Sequence, residues 1–438
     1  MKTVYRYHRR SGNVRSSALG FTSNALRNWQ RAVLVTLTLA GLLFTVSCLM
    51  VVSDSQIGSA VASRRYELKA PPGQAPRPPG LYAEAAVLMD AESGRLLYEK
   101  NAHLKLPMAS TTKMMTALVV RENLKLDEPV TVSKEAADVG EQEIWLEPGE
   151  TVSVEDLLWA LLVQSANDAA FALAERAGGS VAAFTEMMNS KARSIGATES
   201  QFKNPHGLDE PGHYSTACDL ALIGRELMKD PVLARMAGTR QHEIPWPGHP
   251  GGRVAVSHNE LLGAYQGANG IKTGYTLGAG WCLVASASRD DTSLIAVALN
   301  SSHRADDTAA LFNYGFAYSR RIVMVRRGEK LGTARISTYP RRYVNAISER
   351  ELGALSLQGS DDVFVITATV TREAKTPLEK GQKLGTLMCR LNGAPLYREN
   401  AVSPRAVQKP MPMVGVFYFI WYAVCWTGRI ITAPFRLF

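Results

Sequence analysis

"MASTTKMMTA" (108–117) sets one serine, two threonines and a lysine into a run of methionine and alanine. Ser110 and Lys113 are three positions apart, so on a helix they share a face and the lysine amine reaches the serine hydroxyl. The pair reads either as a nucleophile beside its own base or as the polar start of an amphipathic helix. The pattern alone does not decide, because it recurs as Ser200-Gln-Phe-Lys203.

Neighbouring segments supply the fold. Upstream, 84–99 reads as two strands around a turn at Glu92-Ser93-Gly94. Downstream, "TVSVEDLLWALLVQ" (151–164) has Ser153 followed by Asp156, a capping-box-like start to a strongly apolar helix. Further helical patterns cover 168–177, 180–195 and 216–228, and strand patterns return at 281–288 and 293–299 around Asp290-Asp291. Helices inserted between sheet strands predict an α+β domain over 81–320. From 321 to 403 the texture changes: "DVFVITATV" alternates apolar and polar residues, and "EKGQKLG" and "LNGAP" supply turns. This predicts a small all-β domain without a catalytic constellation.

Two more motifs follow the serine–lysine pair. Ser165-Ala166-Asn167 lies between two helical patterns, and the only Lys-Thr-Gly, Lys272-Thr273-Gly274, precedes a glycine-bearing strand region. A second Ser-x-Asn occurs as Ser257-His258-Asn259, so each triplet is weak evidence alone. In this order the three form the signature of penicillin-binding proteins and class A β-lactamases. Longer stretches carry the likeness further: "LLVQSANDAAFALAE", "FKNPHGLDEPGHYSTACDLALIGREL", "NELLGAYQGANGIKTGYT", "AGWCLVASASRD" and "PLEKGQKLGTL". The chain resembles the serine D-alanyl-D-alanine carboxypeptidases, the low-molecular-weight penicillin-binding proteins of peptidase family S11. The resemblance implies a β-lactamase/transpeptidase-like domain, an antiparallel sheet with helices plus an all-helical lobe, followed by a small all-β domain.

The residues fit that chemistry. A serine hydroxyl is a poor nucleophile until a base takes its proton, and Lys113 can do so if burial and neighbouring positive charge lower its pKa. Lys272 would supply that charge and favour an anionic substrate. Ser165 is placed to relay a proton, and Asn167 can hold a substrate amide or Lys113. The resemblance implies an oxyanion hole from the backbone N–H groups of Ser110 and Tyr275, the residue after Gly274. It also implies that Thr273 and Arg304 receive the substrate's terminal carboxylate. His206, in "NPHGL", matches a cleft position of the family and reads as structural. Tyr275 stands where some relatives have His, and Ala166 where Gly is common; neither removes a group the mechanism needs.

The implied activity is removal of the terminal D-Ala from peptidoglycan stem pentapeptides through a serine acyl-enzyme, with β-lactams as covalent inhibitors and no metal or organic cofactor. A D,D-endopeptidase cutting cross-links would use the same chemistry, and a non-catalytic penicillin-binding scaffold is the alternative outside enzymes. A β-lactamase fits less well, because no glutamate motif for fast deacylation is evident.

The chain's formal charge of +9 does not indicate a nucleic-acid partner. Residues 1–31 hold seven basic residues and no acid, and Asp54 is the one acid before residue 63, so the remainder carries about +3. Residues 32–52 form a 21-residue uncharged apolar run, which predicts either a retained membrane span or a signal peptide cleaved at Ala60-Val61-Ala62. Residues 1–62 therefore read as leader or anchor, 63–80 as a Pro-rich linker ("APPGQAPRPPG", 70–80), and everything beyond as exported. The tail, 411–438, is apolar and aromatic with Arg429 and Arg436 seven apart, which predicts an amphipathic anchor on the membrane surface. With the resemblance, these segments imply a place in the bacterial cell envelope, on the outer face of the cytoplasmic membrane. The five cysteines are widely spaced and read as free thiols.

Overall fold

The computed structural model describes residues 62–69, 76–339, 342–409 and 419–423. A five-stranded antiparallel sheet organises the first lobe, in the order Leu96–Lys100, Ala85–Asp90, Thr292–Leu299, Gly280–Arg289, Ala268–Thr276. The run "LIAVAL" (294–299) is wholly buried because both faces of this sheet are covered. On one face, Leu88, Leu283 and Leu294 pack with Leu311 and Phe312 of the helix Arg304–Tyr318. On the other, Val87, Val284 and Val297 pack with Met114, Met115 and the helical lobe.

Local sequence explains where the lobe's helices begin. Ser153, Ser180 and Thr216 accept from the N–H groups of Asp156, Ala183 and Asp219, starting the helices Val154–Trp159, Val181–Ser194 and Ala217–Leu227. Asp230 caps Pro231–Ala237, with proline at the first turn, where its missing N–H costs nothing. The serine–lysine stretch differs in detail from a single helix. Ala109–Thr112 is a 3-10 turn, and the α-helix Lys113–Asn123 starts at the lysine. Residues i and i+3 eclipse in a 3-10 turn, so the lysine stacks directly over the serine. Lys272-Thr273-Gly274 lies within its strand, not before it.

The second lobe is all-β. Its seven-stranded sheet runs Ala62–Lys69, Val363–Val370, Lys383–Leu391, Ala394–Val402, Tyr343–Ser348, Lys330–Ile336, Glu373–Ala374. Alternation in "VFVITATV" buries Phe364, Ile366, Ala368 and Val370. The strand Ala62–Lys69 pairs antiparallel with Val363–Val370, so the first residues after the apolar leader extend the sheet instead of serving as spacer. Ser319–Val325 pairs with Leu352–Leu357, and Asp90 of the first lobe accepts from the Leu355 N–H. Arg95 with Asp362, and Arg321 with Glu92, add ion pairs across the same junction.

The leader up to residue 61, with its apolar run and the Ala60-Val61 part of the cleavage motif, lies outside the described residues, as do 70–75 of the Pro-rich segment and most of the tail. Residues 419–423 are helical, with Phe419, Ile420, Trp421 and Tyr422 exposed. Among the described residues no helix is long and apolar enough to cross a membrane. Cys218, Cys282 and Cys389 are free thiols.

Candidate active site

Ser110 sits on the 3-10 turn at the edge of the cleft, held there by a strained backbone. The preceding Ala109 has φ 48°, a left-handed conformation that costs a non-glycine residue about 1–3 kcal/mol. Its carbonyl accepts from the Thr112 hydroxyl at 2.8 Å, and Thr112 Oγ1 is 2.9 Å from His213 Nε2. His213 Nδ1 accepts from the Lys203 N–H, which leaves Nε2 as the protonated nitrogen of a neutral ring. Burial lowers that ring's pKa to about 4, so the network keeps one protonation state at neutral pH.

Lys113 is fully buried, and its Nζ is 2.8 Å from Ser110 Oγ, 2.7 Å from Asn167 Oδ1 and 2.6 Å from the His206 carbonyl. Nζ has three acceptors in reach; on losing a proton it keeps two donors, which Asn167 and the His206 carbonyl can take, and the lone pair is then free to face the serine. Burial holds the Lys113 pKa well below the usual lysine range, and the Lys272 charge lowers it further against Asp168 and Glu141. His206 is itself pushed down to about 3, by burial and then by Lys113; it contributes a carbonyl, and its ring nitrogen accepts from the Leu208 N–H.

Ser165 follows the π-helical turn Ala160–Gln164 and has φ 69°, in the left-handed region with Ala109 and with Glu141 and Trp145 of the cleft wall. Asn167 begins the helix Asn167–Gly178 and donates to the Gly140 carbonyl. The buried Asp168 accepts from the N–H groups of Ile144 and Leu146, tying the 141–145 loop to the base of this helix. Across the cleft, Lys272 is buried, with Nζ 3.0 Å from the Thr273 carbonyl, and burial plus the Arg304 charge lower its pKa to about 7.

Ser110, Ser165, Asn167, Thr273, Gly274, Tyr275 and Arg304 all line one cleft of about 510 Å³, with Lys113 beneath the serine. The strand reaches the serine only because residue 274 is glycine: a Cβ there would lie 3.0 Å from the Ser110 nitrogen and 3.1 Å from the Met108 carbonyl. Gly207, at φ +94°, crowds Ala109 from the other side, where a Cβ would fall 2.0 Å from its carbonyl. Gly274→Ala is expected to slow acylation by a β-lactam about tenfold to a hundredfold, since a shift of a fraction of an ångström misaligns the reacting atoms. Initial acylation rates check this.

The decoy motif separates cleanly. Ser200 Oγ is 2.7 Å from both Asp219 Oδ2 and Ser215 Oγ, while Lys203 is exposed. The second Ser-x-Asn is not idle, however. Asn259 Nδ2 donates to the Gly270 carbonyl, and His258 lines the cleft. Sequence reasoning treated that triplet as chance, and it also passed over Glu141, Gln142, Trp145 and Trp281 on the cleft wall. Trp281 stands in the quoted "AGWCLVASASRD", at the exposed start of the strand Gly280–Arg289, whose next six residues are buried. Nothing in the sequence marks the 141–145 loop as part of the wall.

Comparison with known proteins follows the geometry. Residues 73–303 match the peptidase S11 family, described as D-alanyl-D-alanine carboxypeptidase. The chain is 32% identical over 354 residues to D-alanyl-D-alanine carboxypeptidase DacF of Bacillus subtilis, covering 77% of this chain and 88% of that one. It is 35% identical over 361 residues to D-alanyl-D-alanine carboxypeptidase DacC of Escherichia coli, covering 78% and 88%. The structure of penicillin binding protein 5 from Haemophilus influenzae matches with a TM-score of 0.62 at 28% identity, over 76% of this chain and all of that one. The fold is therefore the transpeptidase-like fold of penicillin-binding proteins, a class of serine hydrolases. Within that class the chain belongs to the peptidase S11 family, the D-alanyl-D-alanine carboxypeptidases.

Proposed function

We propose that Ser110 attacks the carbonyl of the penultimate D-Ala of a peptidoglycan stem pentapeptide, releasing the terminal D-Ala, and that water then frees the acyl-enzyme. The observation that carries this is the 2.8 Å contact between Ser110 Oγ and the fully buried Lys113 amine. Neutral Lys113 takes the serine proton, and Ser165 relays it to the departing amine. Asn167 orients Lys113 and the substrate amide. The N–H groups of Ser110 and Tyr275 receive the developing oxyanion, with Gly274 leaving the space between them. Lys272, Thr273 and Arg304 make the end of the cleft that takes the terminal carboxylate. A β-lactam carries the same carboxylate and acylates the same serine.

The test is D-Ala release by the full chain in detergent from a pentapeptide and from a cross-linked dimer. Release from the pentapeptide supports the carboxypeptidase, cleavage of the dimer alone transfers the reading to an endopeptidase, and no product from either refutes the enzyme.

The peptidase domain over 81–320 and the β-domain over 321–403 stand on the outer face of the cytoplasmic membrane in this reading, held by 411–438 as an interfacial anchor. Deleting 411–438 is expected to release the protein into the soluble envelope fraction if the leader is cleaved. Retention in the membrane fraction would show instead that 32–52 persists as a span.

A further inference from the structure

Beyond the leader the chain is close to charge balance, but the two lobes divide that charge unequally. Residues 81–318 hold 19 basic and 30 acidic residues, a formal charge of −11. Residues 319–409 hold 17 basic and 8 acidic residues, a formal charge of +9. Four of those eight carboxylates are already in ion pairs: Asp362 with Arg95, Glu351 with Arg321, Glu373 with Arg335 and Glu399 with Arg350. The β-lobe therefore presents a mostly basic surface.

Strand register shows where this lobe meets the ends of the chain. Ala62 pairs with Val370, Val370 with Gly385, and Gly385 with Ala401. The strand after the leader therefore starts at the same end of the sheet at which Ala394–Val402 runs out toward the tail. Two turns close that end. The turn 379–383 is held by the Gly381 N–H to the Ser403 carbonyl and carries Lys380 and Lys383. The turn 326–330 is held by the Gly328 N–H to the carbonyl of Ser348, itself paired with Ala401, and carries Arg326 and Arg327. All four side chains are exposed, and among the described residues none is in an ion pair. The Glu329 carboxylate accepts from the Arg326 N–H, which leaves Glu349 and Glu379 as the acids beside them.

We propose that this end of the β-lobe is a membrane-docking surface, with Arg326, Arg327, Lys380 and Lys383 lying against the headgroups of an anionic phospholipid bilayer. The inference rests on the reading of 411–438 as the anchor. That segment begins nine residues past Val402, so the sheet end stands no more than about 30 Å from the bilayer surface. The exposed Phe419, Ile420, Trp421 and Tyr422 follow on the same stretch of chain. A negative surface attracts basic side chains within about a Debye length and repels carboxylates over the same range. The β-lobe is therefore drawn down while the acidic peptidase lobe is pushed off, which turns the cleft-bearing lobe away from the lipid and toward the wall.

The experiment reconstitutes the full chain in vesicles of phosphatidylcholine alone and of phosphatidylcholine with about 30% phosphatidylglycerol. Flotation reports attachment, and amide hydrogen exchange of 326–330 and 379–383 reports contact of the lobe. Each lysine or arginine at an anionic surface favours contact about fivefold, so four together keep the lobe down more than about nine-tenths of the time. Exchange in both turns is therefore expected to slow about tenfold in the anionic vesicles and not in the zwitterionic ones. It should recover in about 1 M salt, where the Debye length is about 3 Å. The variant combining Arg326→Gln, Arg327→Gln, Lys380→Gln and Lys383→Gln should float as before and lose the slowing. Equal exchange in the two vesicle types, with flotation on both, overturns the proposal and leaves the anchor reading intact. Slowing in detergent that grows with protein concentration overturns it in favour of contact with the acidic lobe of a second copy. Slowing on anionic vesicles without flotation on zwitterionic ones would keep the docking surface and discard 411–438 as the anchor.

Discussion

Ser110→Ala is expected to abolish D-Ala release, lowering kcat by on the order of 10⁶-fold, the scale seen when a serine enzyme loses its nucleophile. The change removes one oxygen at the edge of the cleft and no core packing. The turn that carries it is held by other groups: Thr111 and Thr112 donate to the Met108 and Ala109 carbonyls, and the ring of His213 meets Thr112. The thermal midpoint should therefore stay close to that of the unaltered chain. Ser200→Ala is the matched control, since its hydroxyl serves Asp219 and Ser215 and no lysine stands beside it. It should retain turnover. Initial rates of D-Ala release and thermal melts of the two variants check both statements.

Lys113→Met is the second large effect, with acylation expected to slow about 10²–10⁴-fold, the usual contribution of a positioned general base. The pH dependence separates this role from a structural one. The base works when neutral, so acylation rises with pH as Lys113 loses its proton. Burial, and then the charge of Lys272, place that rise well below the ordinary lysine range. Lys272→Gln removes a positive charge that disfavours the Lys113 cation; the Lys113 pKa then rises, and the limb moves to higher pH. In Lys113→Met the limb should vanish. Acylation rates of the three proteins by a chromogenic β-lactam, followed across neutral and alkaline pH, check this. A limb that stays in place in the Lys272 variant would show that Lys272, itself lowered to about 7, carries no charge where Lys113 titrates and that burial sets the lysine there.

Much of this site was legible from spacing. Ser110 and Lys113 are three apart in any helical turn, the Ser-x-Asn and Lys-Thr-Gly motifs in the same order narrowed the chemistry to penicillin-binding proteins and class A β-lactamases, and the longer stretches around them narrowed it to one family. Strands such as 294–299 and 363–370 were legible because their apolar runs and alternation reflect faces that are buried. What escaped was set by long-range contact. The 3-10 geometry at Ala109 depends on crowding by Gly207 and Gly274, both more than ninety residues away. His258 and Glu260 belong to a loop whose importance comes from Arg304, 44 residues beyond Glu260, and no local pattern announces that pairing. Arg304 lines the cleft, and the protein acceptors that also hold it, Glu260 and three backbone carbonyls, were not legible in the sequence. The strand Ala62–Lys69 escaped because its partner, Val363–Val370, lies some three hundred residues downstream.

The most direct test of Ser110 as the nucleophile is peptide mapping of the full chain after reaction with penicillin. A single covalent adduct on the peptide containing Ser110, absent from Ser110→Ala and present in Ser200→Ala, is the expected result. An adduct on Ser165 or Ser200, or no adduct on a folded chain, would contradict it.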